Sequence, residues 1–421
     1  MVSQNVDIVV VGAGPAGILA AGKAAADGAK VLLLEKMEKP ARKLRITGKG
    51  RCNITNAKPY LEFLDDIYPE PRFVRDAFNS FFNNDIVELL SSVGVETVQE
   101  RGMRIFPASG KAWDVAEGLV KWAKAQGVTI VNKACVTSIS VSNARIASID
   151  YTDNSKGAIQ LKCGAAILAT GGKSYPATGS TGDGYRLAQD CGHTITPLLP
   201  SLVGVETTPV FSFKSGLSLK NVNLTLLIEG KQSDEEFGEL ELTDYGLNGP
   251  IMLRLSRKVI FALAKGSKVE LVLDLKPALT NEKLKNRIQR EIDENSRIAV
   301  IDLARKLLPK DLATVMVDRL GIAAQKVVAR LSASECDSIV QWLKEQHFVV
   351  TGQRLWNEAI VTAGGVSLKE VNPKSMESKL VGGLFFAGEL LDLDASTGGY
   401  NLQIAYSTGW LAGKNAAESL R

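Results

Sequence analysis

Residues 6 to 21 read VDIVVVGAGPAGILAA, and Glu35 follows eighteen residues after Gly17 at the end of KVLLLE. The apolar run Ile8 to Val11 suits a parallel strand covered on both faces, so the chain must turn sharply at its carboxyl end. Gly12 permits that turn. Gly14 has no Cβ, which lets backbone approach a pyrophosphate whose charge meets the positive end of the next helix. Pro15 needs no N–H partner at the first helical position. Ala16 and Gly17 are small, and Gly17 lets helix and strand lie close. Glu35, at the tip of the second strand, is placed to accept hydrogen bonds from ribose hydroxyls and disfavours a 2′-phosphate. The unit predicts a bound adenine dinucleotide.

Composition removes several alternatives. The chain has 421 residues, 45% hydrophobic and 23% charged, too long for one ordinary core and typical of a soluble globular protein. No uncharged apolar stretch is long enough to span a membrane, and the N-terminal apolar run reads as a strand rather than a signal segment, so the expectation is cytoplasmic. Five scattered cysteines without a CxxC pair argue against a disulfide framework or a cysteine zinc site, and two histidines leave little for metal chemistry. A net charge of +4 does not by itself imply nucleic acid.

Along the chain, 1 to 35 reads strand, helix, strand, and 36 to 56 a loop dense in Gly, Lys and Arg. Apolar residues at helical spacing from Phe73 to Val93 and from Trp113 to Gln126 predict helices. Val128 to Cys163, including Thr129-Ile-Val-Asn, predicts a small accessory sheet, and Ala165 to Thr170 a buried strand. Residues 203 to 275 read as β-rich, with strands at Leu224 to Ile228, Leu240 to Thr243 and Val269 to Leu273. Residues 277 to 346 read as helical. The last segment is apolar and glycine-rich again, so the nucleotide domain is discontinuous.

Further glycine clusters point to the same site. Gly382 to Glu389 reads as a short buried strand delivering Gly388 and a carboxylate, and Gly398-Gly399-Tyr400-Asn401-Leu402-Gln403 opens a helix. A helix N-terminus aimed at an electron-rich ring favours its anionic reduced form. Ala169-Thr170-Gly171-Gly172 resembles the strand-end turn that closes over the adenosine part of FAD. In Thr47 to Asn56, Gly48 and Gly50 permit close approach, Lys49 and Arg51 can balance phosphate or flavin charge, and Asn53 and Asn56 offer donors and acceptors; the alternative is a solvated basic loop. Cys52 has no partner at motif spacing. Arg101 and Arg104 either bind an anionic substrate or pair on the surface, and Thr178 to Gly184 either holds phosphates or closes a loop. In Thr243 to Pro250 the polar Asp244, Tyr245 and Asn248 between turn glycines either present acid/base groups over the ring or form an ordinary turn.

With these segments assembled, the chain resembles the BaiN-like, or aminoacetone oxidase-like, family of FAD-dependent oxidoreductases. The resemblance runs nearly end to end and rests on VVVGAGPAG at 9–17, RKLRITGKGRCNITN at 42–56, ATGGKSYPATGSTGDGY at 169–185, TAGGVS at 362–367 and AGELLDLDASTGGYNLQIAYSTGWLAG at 387–413. It implies an α/β fold: a discontinuous Rossmann-like FAD domain (1–196 and 356–421), an inserted β-barrel-like domain (197–275 and 347–355) and a helical insertion (276–346). It places FAD, held without a covalent bond, against Gly12, Gly14, Gly17, Glu35, Lys36, Gly48 to Asn53, Gly171, Gly172, Glu389 and Gly399 to Leu402. Many members carry Thr-His-x-Gly-x-Ser-Gly-Pro where this chain has Thr243-Asp-Tyr-Gly-Leu-Asn-Gly-Pro250. Asp244 replaces that histidine, so its acid/base role does not transfer.

The family covers oxidation of a small amine in some members and reduction of carbon–carbon double bonds in others, including a base of ribosomal RNA. One dinucleotide fingerprint leaves no separate NAD(P)H domain, so NAD(P)H would visit the flavin transiently. The expected reaction is reduction of a carbon–carbon double bond in a small-molecule substrate, with Arg51, Asp244, Tyr245 and Tyr400 as candidate catalytic residues. The alternatives are an amine oxidase using oxygen and an RNA-docking flavoprotein. For the last, 276 to 354 holds fourteen Lys or Arg against ten Asp or Glu, an excess that a solvated helical face also explains.

Overall fold

A computed structural model describes residues 6–153, 157–211, 213 and 215–421. The chain divides into two compact units, one of residues 1–201 with 355–421 and the other of 202–354.

The first unit is built on a five-stranded parallel sheet in the order Leu384–Phe386, Ala165–Leu168, Ile8–Val11, Val31–Glu35, Thr129–Asn132. Ile8–Val11 is central and every residue of it is buried, as its unbroken apolar run requires. The discontinuous, Rossmann-like α/β fold is therefore the observed one: the outer strand Leu384–Phe386 comes from the far end of the chain. Helices Pro15–Ala26 and Tyr400–Glu418 cover the sheet, and Ala112–Ala125 packs on the first of them. The two covering helices lie almost in backbone contact, because a Cβ at Gly409 or Gly413 would stand 2.2 Å from the carbonyl oxygen of Ala16 or Ala20. A three-stranded antiparallel sheet of Ala134–Ser142, Arg145–Asp153 and Gly157–Lys162 sits beside it.

Two local readings change. Thr129–Asn132 belongs to the parallel sheet rather than the accessory one, pairing with Leu32 to Glu35. As an edge strand it is only half covered, with Ile130 and Val131 half-buried and Thr129 and Asn132 exposed, so it lacks the unbroken buried run of the central strands. Residues 36 to 56 are not all loop, since Arg42–Ile46 is a short helix running into a tight turn, Thr47–Gly50.

The second unit is a closed six-stranded barrel in the order Val205–Thr208, Gly246–Asn248, Lys231–Leu242, Leu217–Ile228, Val269–Asp274, Gln346–Gln353. Alternate residues, Leu224, Leu226, Leu240, Leu242, Leu271 and Leu273, fill its interior. The β-rich reading of 203 to 275 overlooks a helix, Pro250–Ala264, that packs on Lys231–Leu242. Four helices follow over 281–344, the last opened by a reciprocal cap between Ser332 and Glu335. Among the described residues no helix is long and apolar enough to cross a membrane.

Candidate functional site

The turn after Ile8–Val11 separates two uses of glycine. At Gly12 (φ +97°) a Cβ would lie 2.6 Å from the Ala169 carbonyl oxygen, and at Gly17 it would lie 1.9 Å from that of Gly12. Those glycines are needed for the chain to pack on itself. Gly14 has no atom within 4 Å of a built Cβ. Its space is left for something outside the chain, directly ahead of Pro15 and the first turn of the helix, with Ala16 buried behind it.

Glu35 closes this cradle. Its Oε2 accepts from the Ala13 N–H and its Oε1 from the Met37 N–H, both at 2.8 Å. Burial pushes the carboxyl above its ordinary range, with those N–H groups and Lys36 pulling the other way. Each oxygen keeps a lone pair for a further donor. The Lys36 ammonium is tied to Thr181 and, at 2.5 Å, to Asp183. Burial opposes ionisation of Asp183, but the bonds from Lys36 and Thr181 outweigh it and hold the carboxyl below its usual range. The Thr178 to Gly184 segment thus clamps the residue beside Glu35 and starts the helix Asp183–Asp190.

The basic loop is folded tightly. Gly48, Lys49, Gly50 and Cys52 all take φ between 56° and 86°, and for Lys49 and Cys52 that costs about 1 kcal/mol each. Cys52 is fully buried and its thiol is pushed up to about 12 by burial, which removes it as a nucleophile at neutral pH. The Arg51 guanidinium lies 4.6 Å from the Phe106 ring centre and pairs with Glu100. Asn53 Oδ1 is buried without a hydrogen-bond partner among the described residues. Arg101 and Arg104 are exposed at the neighbouring hairpin, where Arg104 Nε donates to the Arg101 carbonyl.

Residues from three distant segments meet at Glu389. Its Oε1 accepts from Ser174 Oγ (2.8 Å) and the Thr362 N–H (2.9 Å), and its Oε2 from Lys43 Nζ (2.8 Å), which also donates to Ser174 Oγ (2.6 Å). A Cβ at Gly172 would strike Thr362 Oγ1 at 2.3 Å, so this glycine serves the network. Thr170 Oγ1, at the same turn, is buried without a partner among the described residues, and Gly171 takes φ +74°. Gly388 (φ +72°) brings its segment against Ala16, where a Cβ would come within 2.8 Å of that residue's own.

At the last helix a Cβ on Gly399 would lie 2.5 Å from the Thr55 carbonyl carbon. Asn401 uses its amide internally, accepting from the Ala395 N–H and donating to the Ala395 carbonyl. The Tyr400 ring packs on Phe63 (4.7 Å between centres) and its hydroxyl meets Lys58 and Asp66; burial pushes it up to about 12. Burial pulls Lys58 down, but its bonds to Asp66 and Tyr400 more than reverse this. Leu402 is half-buried, and the adjacent Gln403 accepts from Thr55 Oγ1 at 2.7 Å.

Every cofactor candidate thus lies in the first unit, with Arg51 and Tyr400. Asp244 and Tyr245 lie in the second, on a turn where Thr243 Oγ1 accepts from the N–H groups of Tyr245 and Gly246. The Tyr245 ring lies 4.2 Å beneath the Arg354 guanidinium, and Asp244 is exposed. Sequence reasoning missed Lys43, Ser174, Thr362 and Gln403. TAGGVS at 362–367 flagged the segment but not the role of its threonine.

A dinucleotide fits these residues. Open space at Gly14, a helix N-terminus, spare lone pairs on Glu35 and the buried unpartnered oxygens of Thr170 and Asn53 are what its pyrophosphate, ribose and ring edges would use. Comparison with known proteins agrees. Residues 6–415 match the HI0933-like protein Rossmann domain. The chain is 30% identical over 416 residues to a 3-dehydro-bile acid delta(4,6)-reductase of Clostridium scindens, covering 98% of this chain and 99% of the relative. It is also 30% identical over 414 residues to a ribosomal RNA dihydrouridine synthase of Haemophilus influenzae, covering 97% and 98%. A flavocytochrome c3 fumarate reductase in its open conformation shares the fold at a TM-score of 0.52 and 19% identity, with 99% of this chain and 79% of that one covered. The chain belongs to the HI0933-like Rossmann family and is a FAD-dependent oxidoreductase.

Proposed function

We propose that this protein reduces a carbon–carbon double bond conjugated to a carbonyl, drawing electrons from NAD(P)H through non-covalently held FAD. The observation that carries the reading is near full-length similarity to two relatives whose names describe one chemistry on unlike substrates. A 3-dehydro-Δ4,6 bile acid and a uracil ring both hold a C=C beside a C=O, and each gains two hydrogens. When bound, FAD would supply the hydride, and the second hydrogen would arrive as a proton.

The residues divide that work. The Gly12 to Gly17 turn receives the pyrophosphate on the helix N-terminus, and Glu35 accepts from the ribose. Arg51 and the N-terminus of Tyr400–Glu418 stabilise negative charge on the ring edge. Lys43 and Glu389 lock the 42–53 loop to the strand-end turns, so the cradle is shaped before the cofactor arrives. Tyr400, protonated at neutral pH, can donate a proton but not accept one. Asp244 and Tyr245 are the acid/base candidates of the second unit.

The test is anaerobic. NADPH or NADH should bleach the holoprotein, and a 3-oxo-4,6-diene steroid should restore the yellow oxidised flavin with one of its two double bonds reduced per flavin reoxidised. Reoxidation by oxygen alone, coupled to loss of an amine, would overturn the reading. The Haemophilus relative favours a second reading, in which the reduced ring is a base of ribosomal RNA. It requires salt-dependent binding to ribosomal RNA fragments and appearance of dihydrouridine.

A further inference from the structure

A groove of ≈ 260 Å³ opens at the carboxyl edge of the parallel sheet, between the helix Ala112–Ala125, the connection leaving Val31–Glu35 and the end of the edge strand at Asn132. Trp113 and Lys124 lie on one face of that helix, and both line the groove. Trp113 is 49% exposed, unusual for so large an apolar ring. The Arg45 guanidinium stands 4.1 Å from its centre and the Lys39 ammonium 5.6 Å. Arg45 is neutralised by Glu117 at 3.0 Å, whereas Lys39 and Lys124 have no ion pair among the described residues. The groove therefore combines an aromatic platform, two unpaired ammonium groups and, in Asn132, an amide able to read a base edge.

We propose that this groove binds the phosphate-bearing adenosine end of NADPH, which rests on the reductase reading above. A planar base extends the stack that the Arg45 guanidinium makes on Trp113, and an unpaired ammonium group suits a dianionic 2′-phosphate better than the single charges of a diphosphate bridge. The volume accommodates one nucleotide rather than two, so the nicotinamide half must lie outside. Arg42–Ile46 leads from the groove straight into the Thr47–Gly50 turn, against which Ala112–Ala125 also packs. That turn belongs to the proposed flavin-facing loop. The site needs no second dinucleotide fingerprint, which explains how a chain with one such motif serves two dinucleotides.

The experiment is calorimetric titration of the holoprotein with 2′,5′-ADP, which carries the adenosine and both phosphates but no nicotinamide. Binding should be at least tenfold tighter than that of 5′-AMP, and should weaken at least tenfold in Trp113→Leu and in Lys39→Glu/Lys124→Glu. In the same variants KM for NADPH should rise while kcat, flavin content and reduction by dithionite stay unchanged. Equal affinity in wild type and variants overturns the site, as does displacement of no 2′,5′-ADP by NADPH. Displacement by ribosomal RNA fragments but not by NADPH overturns it in favour of an RNA surface. Binding that depends on Trp113 and Lys124, with no bleaching by NADPH, leaves the site standing and overturns the donor reading instead.

Discussion

Two glycine turns open the first and last helices of the same unit. Ahead of Pro15–Ala26, the space beside Gly14 is empty to 4 Å; ahead of Tyr400–Glu418, the space beside Gly399 is filled by the Thr55 backbone at 2.5 Å. One turn is a cradle and the other a joint. A missing Cβ therefore has two meanings, room for a ligand or room for another part of the chain, and only the three-dimensional neighbours tell them apart.

Substitution should separate the two. Gly17→Val is expected to have the largest effect, because its Cβ meets the Gly12 carbonyl oxygen at 1.9 Å within rigid backbone; a loss above about 4 kcal/mol should leave no cooperative thermal transition. Gly399→Ala adds a left-handed φ of +97° to a clash with Thr55, and should cost roughly 2–4 kcal/mol by denaturant titration. Gly14→Val should keep the apoprotein's stability and weaken FAD binding by about 100-fold or more, equivalent to about 2.7 kcal/mol, read by flavin content and fluorescence. Should Gly14→Val unfold the protein, or Gly399→Ala spare it, the distinction between cradle and joint fails.

The smaller effects sharpen it. Tyr245→Phe and Asp244→Asn should slow substrate-linked turnover by roughly 10²-fold with FAD content and dithionite reduction unchanged; near wild-type turnover in both would make their turn purely structural. Arg51→Ala should lower the flavin midpoint potential by at most about 30 mV, or about 1.4 kcal/mol for two electrons, because half-exposed Arg51 already shares its charge with Glu100. A spectroelectrochemical titration with no shift would remove Arg51 from the ring's surroundings.

The cradle was legible in sequence because its parts are local: strand, glycines, proline and Glu35 fall within thirty residues, and each answers to a local backbone or packing requirement. The buried strands Ala165–Leu168 and Leu384–Phe386 also announced themselves, as short apolar runs. The network at Glu389 was not legible. Lys43 reaches Ser174 and Glu389 across 131 and 346 residues, and no local pattern records such a pairing. The helix Pro250–Ala264 did carry a signal, a proline at its first position and buried residues Ile251, Met252, Leu255 and Val259 at helical spacing. It was masked by strand-like runs on both sides. Exposed Trp113 was legible only as one residue of an amphipathic helix, since the cations above it come from another segment.

The close approach of Gly409 and Gly413 to Ala16 and Ala20 bears on the order in which the chain can fold. Residues 202–354 hold all six strands of their barrel in one continuous stretch, so that unit can complete itself while synthesis is still under way. The helix Pro15–Ala26 is made well before Tyr400–Glu418, the helix it packs against most closely, and waits for that partner. Until then the face that takes Tyr400–Glu418 has no permanent cover, although strands and the helix Ala112–Ala125 already cover the rest, and chaperone demand should fall on that face.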